Sequence, residues 1–352
     1  MDIGIEFSGL LGEIEAEMRS VLDQQDGKAR PLYEMLSYHL GLDQPDGPRG
    51  KRIRPLLGLL AYQALTGKYA DALPAAAAVE LGHNFSLVHD DIEDADRERR
   101  HRPTLWAVWG VPLAINAGDA LFALSRLALY RLMDAEGYEP QKLLDLMKVY
   151  DETCLALCEG QYLDISFERR LDVTVEEYLE MIGKKTAALL AASVQAGAMV
   201  ATGDRDVGET FRRFGYDLGI AFQIADDLKG SFWASAKSGK PEAGDILKRK
   251  KTFPVVWALE HAPDADRARL GAIYQPTITA TDGSGPPDRE LDMARAEIDE
   301  VLEILERCGA RAAAEAEGRG RRQTAVNDVE ALPIPAEQRQ LLAALVEAIV
   351  AI

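Results

Sequence analysis

Residues 87–96, LVHDDIEDAD, end an apolar segment with a cluster of carboxylates. Apolar residues recur at helical spacing over about 74–94, and this periodicity predicts a helix. Asp90 and Asp94 are four residues apart, so a helix would point both carboxylates the same way, one turn apart. Because like charges at this spacing repel, the pattern suggests that a cation is held there. Hard oxygen ligands suit Mg²⁺, which tends to bridge carboxylates to phosphates.

The same arrangement recurs at residues 221–227, AFQIADD, where an apolar helical pattern again ends in Asp226 and Asp227. Both clusters are followed by basic residues, whose side chains can contact phosphate oxygens directly. They are Arg97, Arg99, Arg100 and Arg102 after the first cluster, and Lys229, Lys237, Lys240, Lys248, Arg249, Lys250 and Lys251 after the second. A solvated helix face would explain one acidic pair, whereas two favour a site. If the clusters face each other across a cavity, they can clamp one diphosphate between several metal ions.

A third basic element, GKRIRP at residues 50–55, places three cations in four residues after a loop. Positive charge at a helix start opposes the helix dipole, which hints at an anionic ligand. His83 precedes Asp90 by two helical turns and can therefore face the same cavity. On its own, a histidine at this position would more often be a core residue.

Helical periodicity extends over almost the whole chain, whereas alternating β-branched runs are scarce. The predicted helices cover about 7–23, 52–66, 74–94, 112–135, 140–168, 174–202, 206–230, 289–318 and 335–351. Loops rich in Gly and Pro are predicted at 41–48 and 262–289. Because no low-complexity linker divides the chain, we predict one all-α domain over residues 1–352, a single large helical bundle.

The chain has 352 residues, with 40 Lys and Arg against 58 Asp and Glu, so its net charge is −18. This negative field argues against general nucleic-acid binding and against charge-driven docking on anionic membranes. The three cysteines are too few for a disulfide framework, and without a CxxC motif structural zinc is not expected. No signal peptide is evident, and the most apolar stretch, 186–203, is typical of a buried helix. We therefore expect a cytoplasmic protein without stable membrane insertion.

Together these residues resemble the trans-type isoprenyl diphosphate synthases, also called polyprenyl synthetases. Residues 50–55 match the family's GKRxRP element, residues 90–94 match its first aspartate-rich motif, DDxxD, and Arg99-Arg100 match the arginine pair that follows. Further family elements occur in the expected order: Gly118-Asp119, Gly160-Gln161 with Asp164, Lys185-Thr186, Phe222-Gln223 before Asp226-Asp227, then Gly239-Lys240-Pro241 and Asp245. The resemblance implies an all-α, isoprenoid synthase-like fold with a central cavity, and a homodimer.

The resemblance also implies a role for each matching residue. Asp90, Asp94 and Asp226 would ligate Mg²⁺, several ions per site, on the allylic diphosphate, and Asp91 and Asp227 would support them. Arg99, Lys185 and Lys240 would contact that diphosphate directly. Lys51, Arg54, His83 and Arg100 would hold isopentenyl diphosphate in a second pocket. Thr186 and Gln223 would face the reacting carbons.

The implied reaction extends an allylic chain by five carbons. The allylic diphosphate ionises, the double bond of isopentenyl diphosphate attacks the resulting cation, and a proton is lost. Two rivals resemble this enzyme: a class I terpene cyclase, which needs no second diphosphate pocket, and a non-catalytic subunit of a heteromeric synthase. The residues assigned to the second pocket argue against the cyclase, and the intact first motif argues against the subunit. A purely structural helical protein is the remaining alternative.

Two departures from the family pattern concern the acidic regions. Gly230 stands where a third aspartate is frequent, so one metal contact would be lost or replaced by water. His101 and Arg102 follow the arginine pair, where Gly and Lys are common. Neither change removes a charge that the mechanism requires, but both bear on rate and substrate range.

Product length should depend on what blocks the growing tail. Ser86, Gly82 and Ala78 lie at four-residue steps before Asp90, and their small side chains would line a groove. One helical turn rises about 5.4 Å, close to one isoprene unit. Phe85, an aromatic residue five positions before the motif, resembles medium-chain synthases and would form the floor, with core packing as its alternative role. We expect geranylgeranyl diphosphate as the product, with farnesyl diphosphate second.

Overall fold

The computed structural model describes residues 1–23, 27–44, 47, 49–232, 243–275 and 293–350. Nearly all of these residues lie in helices, and the sheet among them is a hairpin of two short strands, β1 (Glu98–Arg99) and β2 (Arg102–Pro103). The predicted all-α fold is therefore confirmed. The extent of the domain, residues 1–352, stays a prediction.

The helices follow one another through short connections. In chain order they are α1 (Ile3–Glu6), α2 (Ser8–Leu22), α3 (Arg30–Leu40), α4 (Ile53–Thr66), α5 (Leu73–Glu93), α6 (Leu105–Trp109), α7 (Val111–Tyr130), α8 (Pro140–Phe167), α9 (Val175–Ile182), α10 (Ala188–Thr202), α11 (Arg205–Phe232), α12 (Gly244–Leu247), α13 (Phe253–His261), α14 (Asp264–Tyr274), α15 (Arg295–Arg307), α16 (Ala310–Ala331) and α17 (Ala336–Ile349). A π-helical segment, Gly183–Ala187, joins α9 to α10, and 3₁₀ turns lie at Ala70–Ala72 and Arg131–Asp134.

Two of the predicted boundaries are wrong. The helix predicted over 289–318 is two helices, α15 and α16, because the chain turns at Gly309, whose φ of 75° is left-handed. The loop predicted over 262–289 contains α14, which buries Leu270, Ile273 and Tyr274. These three residues have helical spacing, a signal hidden by the acidic and basic residues that start the helix. The predicted residues 276–289 lie outside the described part of the chain.

The core is organised around α10. Twelve of its fifteen residues are buried, and most are Ala, Leu, Gly or Val, so neighbours can pack on every side of it. Buried apolar residues of α4, α5, α7, α8, α10 and α11 form one continuous cluster, and smaller clusters lie beneath α9 and under α12 to α15. No helix within the described ranges is long and apolar enough to cross a membrane. The predicted cytoplasmic location and the predicted lack of nucleic-acid partners stay predictions.

Two glycines bring α4 and α10 into backbone contact. A Cβ atom at Gly197 would lie 2.1 Å from the carbonyl oxygen of Gly58, and one at Gly58 would lie 2.8 Å from the carbonyl oxygen of Ser193. No side chain fits at such distances, so glycine is required on both helices. The contact fixes the position of α4, whose first turn carries Arg54.

We therefore expect Gly197→Ala to lower the free energy of unfolding by about 1–3 kcal/mol, because the added methyl group forces two backbones apart. Chemical denaturation measures this change. The matched control is Gly320→Ala in α16, where a Cβ atom has no neighbour within 4 Å. That change should be neutral or stabilising by up to about 1 kcal/mol, because alanine is the better helix former. Equal stability losses in both variants would contradict the packing argument.

Candidate active site

The first acidic region is the last turn of α5 together with Asp94, which caps it. The Asp94 N–H donates to the Asp90 carbonyl oxygen at 2.8 Å, so both residues belong to the same helical turn. A helix C-terminus is negative, and the helix dipole therefore gives these carboxylates no support. Burial raises the pKa of Asp90 to about 6, and the neighbouring charges of Asp94 and Glu93 act in the same direction. The turn is short of positive charge.

Asp91 points to a different neighbourhood from Asp90. It is buried and accepts a hydrogen bond from Arg99 Nε at 2.6 Å, while its Oδ2 atom has no hydrogen-bond partner. Burial raises the pKa of Asp91 to about 7, although the Arg99 charge lowers it. The Arg99 charge acts both on Asp90, whose pKa it lowers, and on His83.

Lys185 supplies positive charge to the first acidic region from the π-helical segment. Its Nζ atom donates to Asp164 Oδ2 at 2.5 Å. Burial disfavours its charged form, but the carboxylates of Asp164, Asp90 and Asp94 raise its pKa above the usual value. The segment can approach α8 because residue 160 is glycine: a Cβ atom at Gly160 would lie 2.3 Å from the Lys185 nitrogen. The predicted contact of Lys185 with the allylic diphosphate stays a prediction.

A chain of hydrogen bonds leads from this segment to the second acidic region. Thr186 Oγ1 donates to Gln223 Oε1 at 2.8 Å, and Gln223 Nε2 donates to Asp227 Oδ1 at 3.0 Å. Asp227 is buried and also accepts from the Tyr178 hydroxyl and from the Phe253 N–H, the latter at 2.9 Å. Burial nevertheless raises the pKa of Asp227 to about 7. These hydrogen bonds to Asp227 hold α9 and α13 against α11.

Asp226, the residue before Asp227, is half-buried on α11. The segment that follows α12 brings two lysines to the first acidic region. Lys250 Nζ lies 3.9 Å from Asp94 Oδ2, and Lys248 Nζ donates to Asp96. Burial disfavours the charge of Lys250, but Asp94, Asp245 and Asp164 raise its pKa above the usual value. Residues far apart in sequence are therefore assembled around Lys185 and Lys250.

A second group of positive charges lies next to α5. We use the name cationic cluster for Arg54, His83, Arg99 and Arg100. Arg54 Nη1 lies 3.2 Å from His83 Nε2, and the buried atoms Arg54 Nε and Arg100 Nη1 have no hydrogen-bond partner. Burial, together with Arg54, Arg100 and Arg99, holds the pKa of His83 well below its usual range, and burial lowers the pKa of Arg100 to about 10. Positive charge gathered in this way favours the binding of an anion.

A tight turn of the backbone places Arg100 in this cluster. Arg100 and His101 form the two-residue turn between β1 and β2, with φ angles of 53° and 60°. Positive φ at both positions is the geometry of a type I′ hairpin, which glycine or asparagine would adopt more easily. Opposite the turn, a Cβ atom at Gly50 would lie 2.9 Å from Arg100 Nη2, so only a glycine lets the 50–55 element approach so closely.

Two lysines that are predicted to bind substrate remain to be placed, Lys51 and Lys240. Lys51 is exposed and lines a cleft of about 640 Å³ beside α1, together with Arg49 and Glu15. Contacts join the other three residues predicted for the second pocket, Arg54, His83 and Arg100, but not Lys51. Lys240, with the flanking Gly239 and Pro241, lies outside the described residues.

The predicted hydrocarbon groove is only partly correct. Phe85 is buried and packs edge-to-face on Phe122, with ring centroids 5.2 Å apart. The groove of small side chains is closed at Gly82, because a Cβ atom there would lie 2.0 Å from the Tyr150 hydroxyl. That hydroxyl donates to the Ala78 carbonyl oxygen at 3.2 Å. Two aromatic side chains, one from α5 and one from α8, therefore lie below the first acidic region.

Sequence reasoning missed three contributors. Tyr178 holds Asp227 from a helix 49 residues away, and no local pattern signals such a contact. Lys250 was noted only as one of a run of bases. His39 on α3 has a buried, unpartnered Nε2 atom, and burial with the charges of Arg100, Arg99 and Arg52 holds its pKa well below the usual range.

The acidic residues fit magnesium that arrives with a phosphate ligand. Within the described ranges, no three His, Cys, Asp or Glu side chains converge as a ready-made metal site. Mg²⁺ is typically bound through one or two carboxylates, several waters and substrate phosphates, so a complete protein cage is not needed. The half-buried carboxylates of Asp90 and Asp94, which repel each other, provide hard oxygen ligands of this kind.

Comparisons with known proteins agree with these features. The family model described as polyprenyl synthetase matches residues 32–283. The (2E,6E)-farnesyl diphosphate synthase of Mycobacterium tuberculosis is 38% identical over 327 residues, covering 92% of this chain and 86% of the relative. The geranylgeranyl diphosphate synthase of the same organism is 41% identical over 281 residues, covering 78% and 79%.

The fold comparison points to the same group of proteins. The crystal structure of geranylgeranyl pyrophosphate synthetase from Pyrococcus horikoshii superposes with a TM-score of 0.85 at 32% identity, covering 99% of this chain and 98% of the other. Sequence and fold agree over nearly the whole length. The chain therefore belongs to the polyprenyl synthetase family and is a trans-prenyltransferase of the prenyl diphosphate synthase class.

Proposed function

We propose that this enzyme condenses isopentenyl diphosphate with an allylic diphosphate in a magnesium-dependent reaction. The observation that carries the proposal is the pairing of two unlike sites on α5. On one side, the carboxylates of Asp90, Asp94, Asp164 and Asp245 surround Lys185 and Lys250. On the other side lies the cationic cluster. One site suits a diphosphate that carries metal ions, and the other suits a diphosphate bound by guanidinium groups alone.

In this proposal the allylic diphosphate binds at the acidic regions. Asp90, Asp94 and Asp226 hold the metal ions, while Asp91 and Asp227 keep the two helices in place through Arg99 and Tyr178. Bound magnesium neutralises the negative charge that develops as diphosphate departs. Lys185 contacts the phosphate oxygens, and Lys240 is assigned the same role from the family pattern alone.

Isopentenyl diphosphate binds at the cationic cluster. The unpartnered Arg54 Nε and Arg100 Nη1 atoms offer donors to phosphate oxygens. A neutral His83 keeps one ring nitrogen as an acceptor and one as a donor, since its pKa is held below the usual range. Lys51, which is exposed, is assigned to this diphosphate from the family pattern alone. The Arg99 charge acts on His83 in this pocket as well as on Asp90.

The chemistry needs no side-chain nucleophile. The C–O bond of the allylic diphosphate breaks, and both electrons leave with the diphosphate. The double bond of isopentenyl diphosphate then forms the new C–C bond with the allylic cation, and loss of a proton to the departed diphosphate restores a double bond. The oxygens of Thr186 and Gln223, held together at 2.8 Å, offer dipoles that stabilise the cation without reacting with it.

The reaction is tested by incubating the purified chain and Mg²⁺ with isopentenyl diphosphate and each of the C5, C10 and C15 allylic diphosphates. Phosphatase treatment and chromatography identify the alcohols. We expect prenyl alcohols that are longer than the starter. Asp90→Asn should lower kcat by about 100-fold or more, because an amide holds a metal less well and stabilises less transition-state charge. Asp172→Asn, a change of the same kind at an exposed residue, is the control and should have no effect.

Two results would contradict the proposal. Cyclic hydrocarbons formed without isopentenyl diphosphate would identify a terpene cyclase. Inertness with every starter would favour a non-catalytic subunit of a heteromeric enzyme.

For the product, we propose geranylgeranyl diphosphate, with farnesyl diphosphate second. Phe85 and Tyr150 limit how far a hydrocarbon tail can extend from Asp90 along α5. Gly82 is eight residues before Asp90, so Tyr150 stands about 12 Å from the diphosphate site along the helix axis. A tail that bends past Phe85 toward α7 gains further length.

Phe85→Ala should lengthen the main product by one isoprene unit, because it removes the aromatic ring nearest the acidic region. Mass spectrometry of the dephosphorylated products measures the length. Leu73→Ala changes a half-buried residue in the first turn of α5, 17 residues before Asp90, and should leave the product unchanged. If both variants yield wild-type product, Phe85 is only a core residue.

We also propose that the enzyme is a homodimer. Exposed apolar side chains form stripes on α7 and α8, which are adjacent and joined by the Arg126–Asp151 ion pair. The residues of these stripes are Leu113, Leu127 and Tyr130 on α7, and Leu144, Leu155, Tyr162 and Ile165 on α8, whereas Ile115, also exposed, lies on another face of α7. Both stripes repeat at helical spacing, so each lies on one face of its helix. A second copy of this chain suits the α7–α8 face, because a twofold axis brings the same apolar surface of two subunits together.

Analytical ultracentrifugation tests the dimer. We expect twice the chain mass of 38.6 kDa for the wild type, and a shift toward the monomer for Leu155→Glu, since two buried like charges oppose association. Ile5→Glu changes an equally exposed residue on α1 and should leave the dimer intact. A monomeric wild type would refute the dimer.

A further inference from the structure

The hairpin that carries Arg99 and Arg100 has a turn that is unfavourable on its own. Arg100 and His101 both adopt left-handed backbone conformations, with φ angles of 53° and 60°. A residue with a Cβ atom adopts this region at a cost in free energy, because its side chain crowds the backbone. The strands β1 and β2 are short, so few backbone hydrogen bonds offset that cost. Contacts with other elements must therefore hold the turn in its observed shape.

The open end of the hairpin is held by hydrogen bonds of its own. The Thr104 N–H donates to the Arg97 carbonyl oxygen at 3.0 Å. Thr104 Oγ1 and Trp106 Nε1 both donate to the Asp96 carbonyl oxygen, at 2.9 and 2.8 Å. These contacts fix the chain where it leaves α5 and where it enters α6. Because they lie at the opposite end from the turn, they do not restrain the turn directly.

Arg102, the first residue after the turn, joins the hairpin to α3. Its Nη1 atom donates to Asp43 Oδ1 at 2.9 Å and its Nη2 atom donates to Asp43 Oδ2 at 2.7 Å, a bidentate pair. The same guanidinium group lies over the ring of Tyr38, 3.8 Å from its centroid, in a cation–π contact. The Tyr38 hydroxyl donates to the Pro103 carbonyl oxygen at 3.0 Å. We use the name hairpin clamp for Arg102, Asp43 and Tyr38.

The hairpin clamp depends on the shape of an arginine side chain. A planar guanidinium group can form two parallel hydrogen bonds and lie flat on a ring, whereas a lysine ammonium group is a point charge on a flexible stem. The side chains of Arg102 and Asp43 are only 16% and 27% exposed, so water competes less for this pair than for a fully exposed one. The sequence places Arg102 among the bases that can contact phosphate oxygens, but its two terminal nitrogens donate to Asp43 instead.

The hairpin clamp lies next to the cationic cluster. Tyr38, Arg100 and Arg102 line the same small cavity, so the clamp and the cluster are neighbours. On its other side, Arg100 Nη2 lies 2.9 Å from the place that a Cβ atom at Gly50 would occupy. Arg100 is thus packed between the clamp and the 50–55 element. A turn that changed shape would carry Arg100 out of this narrow space and away from the rest of the cationic cluster.

We propose that the hairpin clamp positions Arg100 for isopentenyl diphosphate, and that the clamp is needed because His101 puts a side chain in a left-handed turn. The inference rests on the proposed function. Arg102, Asp43 and Tyr38 are positioning residues, which act on the substrate through Arg100. The turn and the clamp form one device: a turn residue that accepts the left-handed conformation freely makes the clamp dispensable.

The test compares the two substrates in steady-state kinetics of the full chain with Mg²⁺ and the allylic starter that gives the highest rate. We expect Arg102→Lys to raise the KM for isopentenyl diphosphate about tenfold, while kcat and the KM for the allylic diphosphate change less than about twofold. Asp43→Asn should act in the same way. The double variant should be no worse than either single variant, because both changes remove the same interaction.

A matched control changes an arginine pair of the same kind elsewhere. Arg269 on α14 donates twice to Glu300 on α15, both times at 2.7 Å. Arg269→Lys therefore removes a bidentate pair and keeps the charge, as Arg102→Lys does, and should leave kcat and both KM values unchanged.

His101→Gly tests the link between the clamp and the turn. Glycine adopts a positive φ without the crowding of a Cβ atom and is favoured in a type I′ turn. Added to Arg102→Lys, this change should bring the KM for isopentenyl diphosphate back to within about threefold of the wild type, because the turn then keeps its shape without the clamp.

Three results would overturn the inference while the proposed function stands. They are an unchanged KM for isopentenyl diphosphate in both clamp variants, an equal rise in the KM values of both substrates, and a folded His101→Gly, Arg102→Lys double variant that is no better than Arg102→Lys. Asp43→Asn is the milder change, so it decides the question, alone and with His101→Gly, if Arg102→Lys fails to fold. A wild type without turnover that depends on isopentenyl diphosphate would refute the proposed function, and the inference with it.

Discussion

Mutual repulsion of buried carboxylates is the constraint on which the site depends. Asp90 and Asp94 lie at a helix C-terminus, where the peptide dipoles add to the negative potential. The protein counters this repulsion with lysines from other elements: Lys185 from the π-helical segment and Lys250 from the turn after α12. Those elements are therefore held to α5 by charge as well as by apolar packing.

Backbone contacts at glycines position these charges. Gly160 lets α8 touch the π-helical segment at Lys185, and Gly58 and Gly197 bring α4 against α10. In each place a single methyl group would separate two backbones. In this chain the charged side chains therefore extend from helices whose spacing glycine sets.

Helical periodicity explains how much of this site could be predicted from the sequence. It placed Asp90 and Asp94 on one face and located α4, α5, α7, α8 and α11 to within a few residues, because local spacing determines such features. It could not reveal the hydrogen bond from Tyr178 to Asp227, or the close approach of the Tyr150 hydroxyl to Gly82, because those contacts join different helices. The groove prediction is only partly correct for the same reason: small residues on one helix leave space, and at Gly82 another helix fills it.

In the proposed reaction, the lysines at the acidic regions would make metal and diphosphate binding interdependent. Lys250 lies beside Asp94, and Lys185 is paired with Asp164. If magnesium binds the carboxylates, it would take over the role of counter-ion, and the ammonium groups would then be available to phosphate oxygens. Thermodynamic linkage makes such cooperativity reciprocal, so each ligand tightens the binding of the other by the same factor. After turnover, metal ions and inorganic diphosphate would accordingly tend to leave together.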